Sequence, residues 1–301
     1  MAIYKFYNIQ VLPLDTTSNK NIGEGGYVKV FERLSREAKK ARTGKRLTSM
    51  ASKLKGQMYF CPFEITVRKN IDMNIIYGTF LKFDNVDSLV DTESGDLIVK
   101  TKGNSSSKRY EFSFIFDPKL HIMAINDIAG LPTRAPLIKA LEDIIELGLD
   151  EEFSEYTLSI HELTSAESLK ELLDTPKDGY RKFSAEVSFS NSEKFDRQTE
   201  REIASFEGDL KKNNVHSVES TYKSDKGSLM PDLPRSAKIL AWLATKFGNV
   251  DITYKKDGEV TTFHMEDYPV RLKTVKDPVG RLDKAIEVKG LIKRASDLTK
   301  K

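Results

Sequence analysis

Four histidines (His121, His161, His216 and His264) and one cysteine, Cys61, are the residues of this chain best suited to ligating a metal or acting as nucleophiles. No two of the histidines stand three or four positions apart, and a single cysteine cannot build a zinc ring, so neither a metal nor a cofactor is expected. "SIHEL" at 159–163 holds one histidine of a metalloprotease box but lacks the second, and it sits in a strand-like pattern. "GEGG" at 23–26 could present backbone N–H groups to a phosphate, yet neither a GK[ST] sequence nor G-x-G-x-x-G completes a nucleotide motif. Acid–base pairs could form from Asp117 with His121, or from His264 with Glu266 and Asp267. Such pairs work only if they converge at hydrogen-bond distance, which spacing along separate strands does not reveal. Catalytic residues are therefore left unassigned.

Charge is the stronger signal. In "FERLSREAKKARTGKRLTSMASKLKG", residues 33–55 hold nine Lys or Arg against Glu37 alone, a local net of +8 in a chain whose total is +3. Residues 142–178 carry twelve acidic residues against Lys170 and Lys177, a net of −10, and residues 269–301 carry ten basic against four acidic, a net of +6. Helical cations are commonly balanced by carboxylates one turn away, and here they are not. Their counterpart is the chain's own acidic middle, a neighbouring subunit, or a polyanion. Nucleic acid fits best, because repeating phosphates reward several cations at once and Ser/Thr interleaved with Lys/Arg suits backbone contacts. The candidate contacts are Arg36, Lys39, Lys40, Arg42, Lys45, Arg46, Lys53 and Lys55, with Lys293 and Arg294 near the end of the chain extending the patch or forming a second one.

The elements that must carry these residues follow from periodicity. "IYKFYNIQVLP" alternates like a strand, and Phe31, Leu34, Ala38 and Ala41 make one stripe of a helix over about 27–42. Thr43–Gly44 breaks it, and Leu47, Met50, Ala51 and Leu54 predict a second short helix to about Lys55. Strands are expected at "MYFCPFEITVRK", "MNIIYGTFLKF", "GDLIVKTK", "KRYEFSFIFDP" and "KLHIMAIND", then a helix over 134–149. "EYTLSIHEL" reads as a strand, "TSAESLKELL" as a helix opened by a Thr164/Glu167 capping box, and "RKFSAEVSFS" as a strand. A charged helix over 192–212, a strand at "NVHSVESTYK", a helix at "PRSAKILAWLATKFG" stopped by Gly248, and a hairpin turning at Asp257–Gly258 follow. "YPVRLKTV" ends the sheet before a basic helix over 278–301. The expected fold class is α+β: mainly antiparallel sheets with flanking helices and a basic C-terminal helix, divided into halves at 1–150 and 151–301.

At 301 residues, 39% hydrophobic and 31% charged, the chain can bury a sizeable core. It has no run of roughly 20 apolar residues, and its opening lacks the apolar core of a secretory signal; with a lone cysteine, this points to the cytoplasm and away from membranes. The runs "FSAEVSFSNSEKFDRQTEREIASFEGDLKKNNVHSVESTYKSDKGSLMPD" and "LAWLATKFGNVDITYKKDGEVTTFHMEDYPV", with "YNIQVLP", "IIYGTFLKF" and "FSFIFDPKLHIMAI", resemble an uncharacterised bacterial family found in mobile elements and near phage-defence genes. More distantly the architecture is similar to the phage lambda exclusion protein RexA. The resemblance implies a role in phage resistance and, through RexA, DNA binding, dimerisation and an effector downstream; it carries over no active-site residue. The expectation is a non-enzymatic nucleic-acid-binding protein that prefers DNA to RNA. Two alternatives stand beside it, a nuclease-type toxin and an assembly or adaptor subunit that docks through its basic helices.

Overall fold

The computed structural model describes residues 1–14, 22–69, 74–149, 153–188, 205–206, 208–210, 212–213, 215–275 and 280–300. The α+β expectation holds: the strands pair antiparallel and helices cover the sheets. β1 (Ile3–Pro13) is the axis of the larger sheet. On one edge it pairs with β8 (Ile122–Asn126), which leads through β7 (Arg109–Asp117), β4 (Ile75–Asp84) and β3 (Met58–Arg68) to the two-residue β2 (Ser52–Lys53). Tyr7 to Pro13 of β1 pair with β9 (Tyr156–Glu162), and Ile3 to Lys5 with β14 (Arg271–Lys273), so those two strands share the other edge end to end.

Both faces of this sheet are covered. On one, α1 (Gly23–Thr43) and α2 (Arg134–Glu146) close over Tyr7, Ile9, Phe60, Phe80, Phe112, Phe114 and Phe116. On the other, α5 (Arg281–Leu298) lays Ala285, Val288, Leu291, Ile292 and Ala295 against Tyr4, Phe6, Ile115 and Ala124. This is why β1 is buried along nearly its whole length instead of alternating, with Asn8 and Gln10 inside. Their amides are used locally: Gln10 Nε2 donates to Asn8 Oδ1 (3.0 Å), and Asn8 Nδ2 to the Lys246 carbonyl (3.3 Å).

A second sheet runs β11 (Ser217–Lys223), β10 (Gly179–Ser188), β12 (Gly248–Lys256), β13 (Glu259–His264). It packs on α3 (Ala166–Asp174) and α4 (Arg235–Phe247) around Phe183, Leu240, Trp242 and Ile252. The hairpin turns at Asp257 and Gly258, both at positive φ, as its Asp-Gly dipeptide requires. Gly248 does end α4, but its backbone is extended; a Cβ there would lie 2.0 Å from the Glu186 carbonyl oxygen, so glycine permits the close approach of β12 to β10.

Three expectations change. The packing crosses residue 150, because β9 joins the first sheet before the second begins, and β14 and α5 return to it after the second is complete. The capping box of α3 is not made: Ser165 is the N-cap, without a side-chain bond, and Thr164 is buried in a bridge to Pro269. The second basic helix is a single 3-10 turn, Leu47–Met50, followed by β2. The helix expected over 192–212 lies largely outside the described residues.

Candidate nucleic-acid interface

The cations of residues 36–55 are placed by the docking of α1. Tyr27, Val30, Phe31, Leu34, Ala38 and Ala41 form its buried stripe, with Phe31 stacked on Phe116 (4.8 Å between centroids). The Tyr27 hydroxyl donates to the Ile9 carbonyl (3.1 Å) and accepts the Val11 N–H (2.9 Å), which fixes the helix on β1. Arg36, Lys39, Lys40 and Arg42 fall on the opposite side and are exposed.

The chain then turns sharply. Arg46 N–H bonds the Ala41 carbonyl (2.9 Å) and Lys45 N–H that of Arg42 (3.2 Å), the paired bonds of a Schellman stop. Lys45 occupies the left-handed position, φ +53°, that glycine normally fills; Gly44 stands one residue too early, at φ −79°. After the 3-10 turn, Ser52 and Lys53 pair with Phe60 and Tyr59 as the edge of the sheet, and Leu54 N–H closes onto the Met58 carbonyl (2.7 Å). An edge strand and a loop therefore replace the second helix, and Lys45, Arg46, Lys53 and Lys55 all project from it exposed.

Two of these cations have carboxylate partners. Lys40 pairs with Glu37 (2.8 Å), and Arg42 reaches Glu64 (3.4 Å) and the Phe63 carbonyl (3.1 Å) while lying over the Phe63 ring at 4.5 Å. The hydrogen bond from Lys40, with help from Arg33 and Arg36, holds the Glu37 carboxyl below its ordinary range. Glu64 is lowered first by its hydrogen bond from Arg281 and then by Arg42, which together outweigh its partial burial. Arg36, Lys39, Lys45, Arg46, Lys53 and Lys55 make no ion pair among the described residues. The described residues of the acidic stretch form no ion pair with them. Asp143 is held by Lys139 (3.0 Å) and the Ser52 hydroxyl (2.6 Å), Asp174 by Lys170 (3.8 Å), and Glu162 by Arg134 (3.5 Å) and Lys5 (3.9 Å).

Lys293 and Arg294 are exposed on α5, across the sheet from α1, and so stand apart from residues 36–55. The start of the same helix does come near, since Arg281 bonds the Glu64 carboxylate that Arg42 also uses. One contributor is invisible in the sequence. Arg109 of β7 lies over the Phe63 ring, 5.3 Å from its centroid, and lines a cleft of about 520 Å³ with Lys45, Thr48, Leu81, Phe83 and Asp84. No local pattern links Arg109 to the early basic run; only the sheet brings them together.

The groups singled out for catalysis disperse. Asp117 accepts N–H bonds from Lys119 and Leu120 and pairs with Lys289 (3.5 Å), while His121 packs on Tyr27. His264 pairs with Asp251 (2.8 Å), whereas Glu266 bonds Arg134. His161 Nε2 meets the hydroxyls of Ser159 (2.8 Å) and Ser188 (2.9 Å). Burial, then the nearby Arg134 charge, push its pKa down to about 4, so it is neutral at physiological pH. Cys61 is buried, and that burial raises its thiol to about 12, far from a reactive thiolate. Among the described residues no three His, Cys, Asp or Glu converge as a metal site, and no helix is long and apolar enough to cross a membrane.

Fold and surface together define an α+β protein with an exposed cationic edge on a doubly covered antiparallel sheet. Residues 5–292 match the model of the domain of unknown function DUF4747, and the chain belongs to that family. None of the curated proteins compared with the chain matches it.

Proposed function

We propose that this protein binds nucleic acid through the face formed by α1, the 44–50 turn and β2, as a non-enzymatic component of phage defence or exclusion in the cytoplasm. One observation carries the reading: Arg36, Lys39, Lys45, Arg46, Lys53 and Lys55 stand exposed and make no ion pair among the described residues. Six like charges on one edge repel one another, and phosphates relieve that repulsion while releasing counterions. The interleaved Thr48 and Ser49 hydroxyls are suited to phosphate oxygens. The cleft beside Lys45 adds an aromatic wall, Phe83, on which an unpaired base can stack. DNA as the preferred polymer, and the defence role, rest on the resemblance to the phage-defence family and to RexA.

The test is a gel-shift panel of duplex DNA, single-stranded DNA and RNA at two salt concentrations. The native chain is compared with the quadruple variant Arg36→Glu, Lys45→Glu, Arg46→Glu, Lys53→Glu. All four side chains are exposed, so the fold should survive. Binding that weakens strongly in the variant supports the proposal, and equal binding by both proteins refutes it. Incubating the same nucleic acids with Mg²⁺ and looking for cleavage products tests the nuclease alternative.

A further inference from the structure

β5 (Val86–Val90) and β6 (Leu97–Ser105) form a two-stranded ribbon that continues the β4–β7 pair beyond the main sheet. Its two ends are fixed. At the base, the Asp84 carboxylate accepts the Ser106 and Ser107 hydroxyls and the N–H groups of Ser107 (2.7 Å) and Lys108 (3.0 Å). At the tip, Asp91 Oδ1 accepts the N–H groups of Glu93 (2.9 Å) and Ser94 (2.8 Å), with Gly95 at positive φ. Between these anchors the ribbon exposes Leu89 (38%), Val90 (53%), Leu97 (59%), Ile98 (62%) and Val99 (48%). Lone two-stranded ribbons are marginal in water, and an exposed apolar edge strand is a template for pairing unless something covers it.

We infer that a second copy of this chain covers it, β6 pairing antiparallel with β6 about a twofold axis through Val99. The charges of the ribbon single out this occupant. Its tip is acidic, with Asp91, Glu93 and Asp96, and the following stretch of β6 is basic, with Lys100 and Lys102. A twofold through Val99 sets Val99 opposite Val99, Ile98 opposite Lys100, and Asp96 opposite Lys102, each in both directions. Asp96 of each copy then faces Lys102 of the other, and Leu97 and Val99 of both copies share one face of a four-stranded ribbon. A shift of register by one residue sets Asp96 opposite neither Lys100 nor Lys102. This assembly does not depend on nucleic acid, and it leaves residues 36–55 outside the paired strands.

The experiment measures mass in solution by light scattering and sedimentation across a wide range of protein concentration. The native chain is expected to be a dimer, and Val99→Lys a monomer. Asp96→Lys sets cation against cation and Lys102→Asp sets anion against anion, so each alone should raise the dimer dissociation constant at least about tenfold. The combined Asp96→Lys, Lys102→Asp chain restores both pairs with their signs exchanged and should return to near-native affinity. All three side chains changed are exposed, and circular dichroism of each variant checks its fold. A native chain that is monomeric at every concentration overturns the inference. So does a dimer indifferent to the single charge changes, or a double variant no tighter than the singles.

Discussion

Lys45 offers a direct reading of strain inside the candidate interface. Its φ of +53° places an L side chain in the left-handed region, at a cost of about 1–2 kcal/mol. Lys45→Gly removes the Cβ and with it that cost, while the greater freedom of glycine in the unfolded chain returns about 0.5–1 kcal/mol. The net expectation is a gain of about 0.5–1 kcal/mol in unfolding free energy. Lys45→Ala keeps the Cβ and removes the same charge, so its stability should stay within about 0.5 kcal/mol of native. Both substitutions lose one cation and should weaken nucleic-acid binding to the same degree. Urea unfolding of the three proteins separates strain from charge, because only glycine relieves the first. An alanine variant as stable as the glycine variant would refute the assignment of strain to Lys45.

Other consequences are equally open to measurement. Leu291→Ala in α5 opens a cavity on the second face of the large sheet and should cost about 3 kcal/mol in unfolding free energy. Gly78→Ala should cost about 3 kcal/mol or more, visible in thermal unfolding, since its Cβ would sit 1.9 Å from the Glu64 carbonyl oxygen. His161 has a folded pKa pushed down to about 4 against an ordinary value near 6.5. The unfolded chain therefore binds the extra proton between those values, and stability should fall as pH drops from about 6.5 toward 4, by at most about 3 kcal/mol. His161→Gln should flatten that part of a stability–pH profile; an unchanged slope would show that another group is responsible.

Local pattern made most of the strands and helices legible, because alternation and helical stripes report directly on which side of an element is buried. "IYKFYNIQVLP" and the hairpin at Asp257–Gly258 lie where the sequence places them. What local pattern could not show was anything decided by distant partners. Leu47, Met50, Ala51 and Leu54 have helical spacing, but Lys45 turning left-handed and Ser52 pairing with Phe60 convert that segment into a turn and an edge strand. The end of the chain reads as a basic helix, and nothing local shows that Val288 and Leu291 bury one side of it on a sheet begun at residue 3. At the candidate interface, the excess of cations over residues 33–55 was readable from charge counting alone. Arg109 and Phe83 were not, since they arrive from β7 and β4 across the sheet.

The most direct measurement is the dependence of nucleic-acid affinity on salt, followed by fluorescence anisotropy of a labelled oligonucleotide. Six exposed cations contacting phosphates predict a fall in log K against log salt with a slope of about −4 to −5, and the four-residue charge reversal should reduce that slope by about 3. Affinity that is absent at low salt, or a slope that the reversal leaves untouched, would contradict the account.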